Sequence, residues 1–306
     1  MHTRPIGFIG LGRMGSAMAR NLAAAGAPLT VFDIQPDLPT ALADLGVTKA
    51  ATPGEVAAGV ELLFLCVPSE VESETVLFGE HGVVSGTTTP LPIVDTTTMN
   101  RGAAIRLAGR AAATGLSYSD CPVSGKPFRA IDGTLTMMFG GTEAAFHDAK
   151  PYLDVMGEFV VHCGGLGSGQ LMKAINNIIY DVNIAALCEV MPLAVKAGLE
   201  PGTLAAVLTS GSARSFASEY FVPRILKREF DGDFSLRAAF KDIVNVQEVA
   251  AEHGVSLPVV EAMVKTYQTT IDRGFGDQAK SAMVKIYEER LGLTVSSPPT
   301  SDVTDQ

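Results

Sequence analysis

No Cys-x-x-Cys pair occurs anywhere in the 306 residues, and the four cysteines (Cys66, Cys121, Cys163 and Cys188) stand far apart. A structural zinc needs its ligands grouped at short spacing, so no metal is expected, and the thiols read as buried free cysteines in a reducing compartment. Basic residues are in deficit: 23 Lys and Arg stand against 33 Asp and Glu, a formal net charge of −10. Nucleic acid is held mainly by clustered cations, so no such partner is expected, though a local basic pocket for a small anion fits this balance. Asp181, Glu189 and Lys196 interrupt the longest apolar candidate, leaving no uncharged run of about 18 residues for a membrane span. The opening MHTRPIGFIG has the build of neither a signal nor a transit peptide. The expectation is a cytoplasmic protein. Five histidines are scattered without a carboxylate or nucleophile at motif spacing, which gives hydrolase chemistry no support.

What is present is a chain rich enough in apolar residues, 47% against 18% charged, to bury large cores, and too long for one ordinary core. Two domains are expected. In the first half, short apolar runs at 6–9, 29–32, 62–67, 92–95 and 118–120 read as strands, with helical patterns at 16–25, 53–59 and 101–114 between them. Alternation at this pace means βαβ units, a parallel twisted sheet and helices on both faces. The runs at 135–139 and 159–162 would extend the sheet. After residue 164 the pattern changes to a glycine-rich turn and about 30 residues of helical, largely apolar sequence closing at Gly198. Such a helix should be buried on several sides, as the spine joining the α/β part to an all-helical domain. The expected organisation is a doubly wound, Rossmann-like α/β domain over 1–165, an all-α domain over 166–292 and a disordered tail over 293–306.

GFIGLGRMGSAMARNL places Gly10, Gly12 and Gly15 in G-x-G-x-x-G spacing between a strand and a helix. The first glycine permits the tight turn, the second lets the backbone approach a pyrophosphate, and the third lets helix and strand pack closely; the helix N-terminus adds N–H donors. Alone, the motif is weak. The next strand, PLTVFD, ends in Asp33, near the expected distance for a carboxylate on the adenosine ribose hydroxyls. Asp33 would repel a 2′-phosphate, and the following IQPD offers no cation to neutralise one, so NAD is expected over NADP. The bland alternative is a turn residue at a strand end.

Lys173 and Asn177 lie four apart, on one face of the long helix, with Asn176 beside them. Unpaired polar groups buried in an apolar setting cost roughly 1–3 kcal/mol each. A lysine can instead snorkel to solvent, or, when desolvated near a cleft, serve as a general acid/base.

Four motifs in order, GFIGLGRMGSAMARNL, DCPVSGKPFRAIDGTLT, GSGQLMKAINN and FSLRAAFKD, make the chain resemble the β-hydroxyacid dehydrogenase family, which includes the 3-hydroxyisobutyrate dehydrogenases and, more distantly, the 6-phosphogluconate dehydrogenases. The resemblance covers residues 6–291. It implies that Gly10, Leu11, Gly12, Arg13, Met14 and Gly15 carry the cofactor pyrophosphate, that Val67 and Pro68 line the adenosine side, and that Thr98 lies near the nicotinamide ribose. It further implies that Ser124 and Gly125 hold the substrate carboxylate, that Lys173 is the catalytic acid/base with Asn177 on the substrate, and that Lys241 reaches the cofactor. The substrate would be a small hydroxy acid, and the enzyme a homodimer or homotetramer, common assemblies in the family.

Two departures matter. Where decarboxylating relatives carry an acid seven residues after the lysine this chain has Tyr180, and Asn176 replaces their usual histidine, so non-decarboxylating alcohol chemistry is implied. The family turn usually reads Ser-Gly-Gly, but here Lys126 replaces the second glycine and Arg129 follows. Either the Lys126 side chain points to solvent, or it meets a second anionic group on the substrate. The loss of a residue that tolerates φ > 0 also puts the family path of this loop in question. From another class, the chain could be a non-catalytic NAD-binding scaffold or sensor.

Overall fold

A computed structural model describes residues 4–87, 89–231 and 234–297. The chain divides into two compact units, Met1–Lys173 and Ala174–Gln306. The first is a nine-stranded sheet: β1 (Ile6–Ile9), β2 (Leu29–Phe32), β3 (Thr48–Lys49), β4 (Leu62–Leu65), β5 (Pro92–Asp95), β6 (Ser117–Asp120), β7 (Val123–Ser124), β8 (Leu135–Gly140) and β9 (Gly157–Gly164). They run in the order β3-β2-β1-β4-β5-β6-β8-β7, with β9 beside β8. From β3 to β6 all neighbours are parallel, while β8 is antiparallel to β6 and β7.

The apolar runs become central strands because the sheet is covered on both faces. Phe8 and Phe64 face one core with Met18, Leu22 and Tyr152, and Ile9, Leu63 and Leu65 face the other with Val56 and Leu107. Each fully buried side chain of this size contributes about 1.5–3 kcal/mol. The expected strand positions are borne out, with β4 ending two residues early at Leu65. Helices Glu70–Phe78 and Glu143–Met156 lie outside the helical patterns named above; each starts on a side-chain cap, Ser69 accepting from Val71 N–H and Thr142 from Ala145 N–H.

The second unit is helical, with Pro201–Ser210, Phe216–Leu226, Leu236–Glu252, Pro258–Thr270 and Val284–Leu291 beside the long helix Ser168–Lys196. One 18-residue window of the long helix has a mean hydropathy of 1.7, enough by length and composition to cross a membrane. Its Ile184, Cys188 and Met191 instead pack with Phe221, Ile225 and Tyr267 in the core of this unit. Within that core Asp181 is ion-paired with Lys280, the pairing a buried charge requires.

The first compact unit runs on to Lys173, and the backbone at Gly167 and Gln170 is bonded to Asp120. Residues 293–297, expected to open a disordered tail, are held in place: Val295 is 0% exposed and donates its N–H to Glu288, and Ser297 N–H reaches Leu226. The rest of that tail, 298–306, lies outside the described residues.

Candidate active site

Residues 10–15, Asp33, Val67 with Pro68, and Thr98 follow the carboxyl ends of the parallel strands β1, β2, β4 and β5. In an open α/β sheet ligands bind beyond the carboxyl ends of the strands, at the point where strand order reverses; here β1 lies between β2 and β4. Gly10 follows β1 with φ +94°, and a β-carbon there would run into the Cys66 carbonyl. At Gly15 it would run into the carbonyl of Gly10. Both glycines are thus demanded by the chain's own packing. A β-carbon at Gly12 would meet nothing within 4 Å, so that side of the turn is bare backbone, the surface a pyrophosphate needs. The glycine turn fits a dinucleotide.

Asp33 secures that turn. Its Oδ2 accepts from Leu11 N–H at 2.5 Å and its Oδ1 from Gln35 N–H at 2.8 Å. Leu11 is buried, Met14 half-buried, and Gly12 and Arg13 exposed. At the end of β4, Val67 is half-buried and Pro68 exposed, and the Val67 N–H donates to Thr97 Oγ1 at 3.1 Å.

Beyond β5 the chain turns through Thr97, Thr98 and Met99. Thr97 and Met99 are buried, with Thr98 half-buried between them. The buried Asp95 holds this turn from below, accepting from Thr97 N–H at 2.9 Å, Ser73 Oγ at 2.8 Å and Tyr118 Oη at 3.0 Å. Burial pushes the Asp95 carboxyl up, against those hydrogen bonds.

The Ser124 turn follows β6. Its residue Lys126 has φ +62°, so the lysine takes the left-handed conformation in which glycine is at ease. The loop therefore adopts a positive φ at the substituted position, at a cost of roughly 1–2 kcal/mol. Lys126 is half-buried. The Arg129 guanidinium is engaged elsewhere, with Thr134 Oγ1 at 3.3 Å and Glu158 at 3.2 Å.

Lys173, half-buried, lies in the second turn of the long helix and Asn177 one turn later; Asn176 donates to the Asn177 side chain at 3.4 Å. The backbone of Lys241 lies in Leu236–Glu252, and its side chain is outside what the structure describes.

Sequence reasoning missed the two groups that tie these segments together. Asp120, 0% exposed, accepts from Gly167 N–H at 2.6 Å and Gln170 N–H at 2.8 Å, so a β6 carboxylate caps the helix carrying Lys173. The Gln170 carboxamide accepts from Met99 N–H at 3.1 Å and donates to the Thr97 carbonyl at 2.7 Å. The only sequence signal was a carboxylate closing a strand and a glutamine after two glycines.

A family model described as the NAD binding domain of 6-phosphogluconate dehydrogenase matches residues 5–165, and one described as the NAD-binding of NADP-dependent 3-hydroxyisobutyrate dehydrogenase matches residues 167–287. The chain belongs to the β-hydroxyacid dehydrogenase family. As a β-hydroxyacid dehydrogenase it is an NAD(P)-dependent oxidoreductase acting on CH–OH groups. It is 34% identical to 2-(hydroxymethyl)glutarate dehydrogenase of Eubacterium barkeri over 95% of this chain and 97% of that one. It is 35% identical to 2-hydroxy-3-oxopropionate reductase of Escherichia coli over 92% and 97%. The solved 3-hydroxyisobutyrate dehydrogenase of Salmonella typhimurium shares the fold with a TM-score of 0.81 at 28% identity, over 92% of this chain and 99% of that one.

Proposed function

We propose that this β-hydroxyacid dehydrogenase interconverts a small 3-hydroxy acid and its semialdehyde or keto form without decarboxylation, with Lys173 as general acid/base. The observation that carries the reading is the capping of the Lys173 helix by Asp120, four residues ahead of Ser124. The cap ties the start of the helix that carries Lys173 to the end of β6, from which the chain leads to Ser124, and so supports the reading.

NAD, when bound, supplies the hydride acceptor in oxidation and the donor in reduction. Residues 10–15, Asp33, Val67, Pro68, Thr98 and Lys241 would hold it. Ser124 and Gly125 hold the substrate carboxylate, and Asn177 fixes the hydroxyl oxygen. In oxidation the neutral Lys173 amine takes the hydroxyl proton; in reduction the ammonium returns it. General acid/base catalysis of this kind contributes about 10²–10⁴-fold. Tyr180 packs, tilted, against Phe216 and Phe221 and puts no carboxylic acid where decarboxylation would require one.

Asp33, just after β2, followed by Ile34, Gln35, Pro36 and Asp37, supports NAD over NADP, since a 2′-phosphate would meet a carboxylate and the four residues after it carry no cation. Lys126 supports a substrate with a second anionic group, and the relative from Eubacterium barkeri is named for a dicarboxylate. Exposed Met172, Ile175, Ile179, Val190 and Leu193 on the long helix recur at spacings that put them on one stripe, and support self-association as a dimer or tetramer. The cytoplasm is the compartment that suits free thiols and a soluble cofactor.

The test is a panel of 3-hydroxyisobutyrate, L-serine, D-glycerate, threonate and phosphorylated or sulfonated analogues, each with NAD and with NADP. Turnover of a doubly anionic acid with NAD is expected, and Lys126→Gly should shift preference toward 3-hydroxyisobutyrate. A specificity profile unchanged by Lys126→Gly would remove the second-anion reading, and a lower KM for NADP would reverse the cofactor assignment. NAD binding without turnover of any acid would favour the scaffold alternative.

A further inference from the structure

The Thr98 turn and the strand end leading to Ser124 both bond one buried residue of the helix that carries Lys173. Gln170 is 2% exposed. Its Oε1 accepts from Met99 N–H and its Nε2 donates to the Thr97 carbonyl, at 3.1 and 2.7 Å, so the carboxamide spans Thr98 on both sides. Its own N–H donates to Asp120, which heads the turn leading to Ser124. Three residues along the helix stands Lys173.

The residue type suits the task. A carboxamide is the side chain that accepts and donates through two adjacent atoms in one plane. An ionised glutamate would offer the Thr97 carbonyl no donor, and an aliphatic side chain would serve neither backbone group. The approach is also tight from behind. A β-carbon at Gly169 would lie 2.7 Å from Asp120 Oδ2 and 3.1 Å from Pro122 Cδ, and closer still to the Met138 carbonyl; one at Gly140 would lie 2.7 Å from Gly169 N and clash with Asp120. The helix start is wedged against the Ser124 turn by missing side chains and latched to the Thr98 turn by one that is present.

We propose that Gln170 is a positioning residue for the reaction: latched across Thr98 by its carboxamide and onto Asp120 by its backbone N–H, it sets the place of Lys173 relative to the Thr98 and Ser124 turns. The inference rests on Lys173 being the acid/base. Gln170 touches neither substrate nor cofactor in this account and acts through Lys173. A latch of this kind affects the chemical step, where a displacement of about 1 Å can cost on the order of 10²-fold, more than it affects affinity for a dinucleotide bound largely by the glycine turn.

The test is a double-mutant cycle on Gln170→Met and Lys173→Ala, assayed with the acid from the panel that turns over fastest, with NAD affinity followed by fluorescence titration. Gln170→Met should lower kcat at least ten-fold, leave the Kd for NAD within about three-fold, and raise the deuterium isotope effect on kcat as the chemical step becomes limiting. In the Lys173→Ala background the same substitution should change the residual rate less than two-fold, because nothing is left to position. A merely structural glutamine would lower both backgrounds by the same factor, and that result overturns the proposal, as does a Gln170→Met kcat within two-fold of wild type. Near-normal turnover of Lys173→Ala alone would instead sink the acid/base reading on which the proposal stands. If Gln170→Met does not fold, Gln170→Glu carries the same cycle, since it keeps the length and the acceptor for Met99 N–H.

Discussion

Gly169→Ala separates catalytic geometry from stability. Alanine is the better helix former by about 1 kcal/mol, so propensity alone predicts a slightly more stable protein. Packing opposes it. The added methyl would sit 2.7 Å from Asp120 Oδ2 and 3.1 Å from Pro122 Cδ, and inside contact distance of the Met138 carbonyl, where ordinary contact begins near 3.4 Å. Two of those neighbours are backbone or ring, so the start of the long helix must retreat by about 1 Å, and overpacking of this kind costs about 1–3 kcal/mol. The two terms nearly offset, leaving a net loss of about 2 kcal/mol or less. The same retreat moves Lys173, and a misplacement of that size costs on the order of 10²-fold in rate. Steady-state kinetics and thermal unfolding on one preparation should show kcat down 10- to 100-fold, Tm down by less than about 8 °C, and NAD affinity within three-fold. A kcat within two-fold of wild type would refute the claim that the helix start sets the site.

Asp120 gives a pH prediction. Burial, foremost, pushes its carboxyl up to about 6, opposed by the Gly167 and Gln170 N–H groups and assisted by Asp95; burial also raises the nearby Asp95, Tyr118, Cys121 and Cys163. Because the folded value lies above the unfolded one, the folded state binds the proton first. This group's contribution to stability therefore grows as pH falls from about 6 to about 4 and is absent above 6. Activity moves the other way, since protonation removes an acceptor from the helix cap. The kcat ratio of wild type to Asp120→Asn should fall toward one below about pH 6, and a ratio constant from pH 5 to 8 contradicts this. In the helical unit, Asp181→Asn should cost about 3–5 kcal/mol in urea unfolding by stranding the buried charge of Lys280, while Asp181→Leu with Lys280→Met should recover most of it; a double variant as unstable as the single one would speak against the pairing.

Much of this architecture can be read from the chain because its signals are local. β1, β2 and β5 run where apolar stretches are cut off by Gly10, Asp33 and Thr96, and Gly10 and Gly15 are spaced by the geometry of the turn they build. β3 and β7 are two residues each, too short for any period to register. Helix Glu143–Met156 carries five buried positions among charged and small residues, a pattern easily taken for a loop. The latch was illegible for another reason: Asp120 is 50 residues from Gln170, and Gln170 is 73 from Thr97, and only the folded sheet brings them together. Lys126 shows a third limit, since a lost glycine suggests an altered loop while the fold held the lysine at φ +62°. Val295 stands just before the polar run SSPPTSDVTDQ, and nothing in that neighbourhood signals the bond from its N–H to Glu288, seven residues back.

The most direct test of the account is the turnover of Lys173→Ala on the fastest acid of the panel, measured beside its NAD affinity and with added methylamine. The expected result is a kcat lower by about 10² or more, unchanged NAD binding, and partial recovery as the small amine stands in for the lost one. Turnover close to wild type would contradict it.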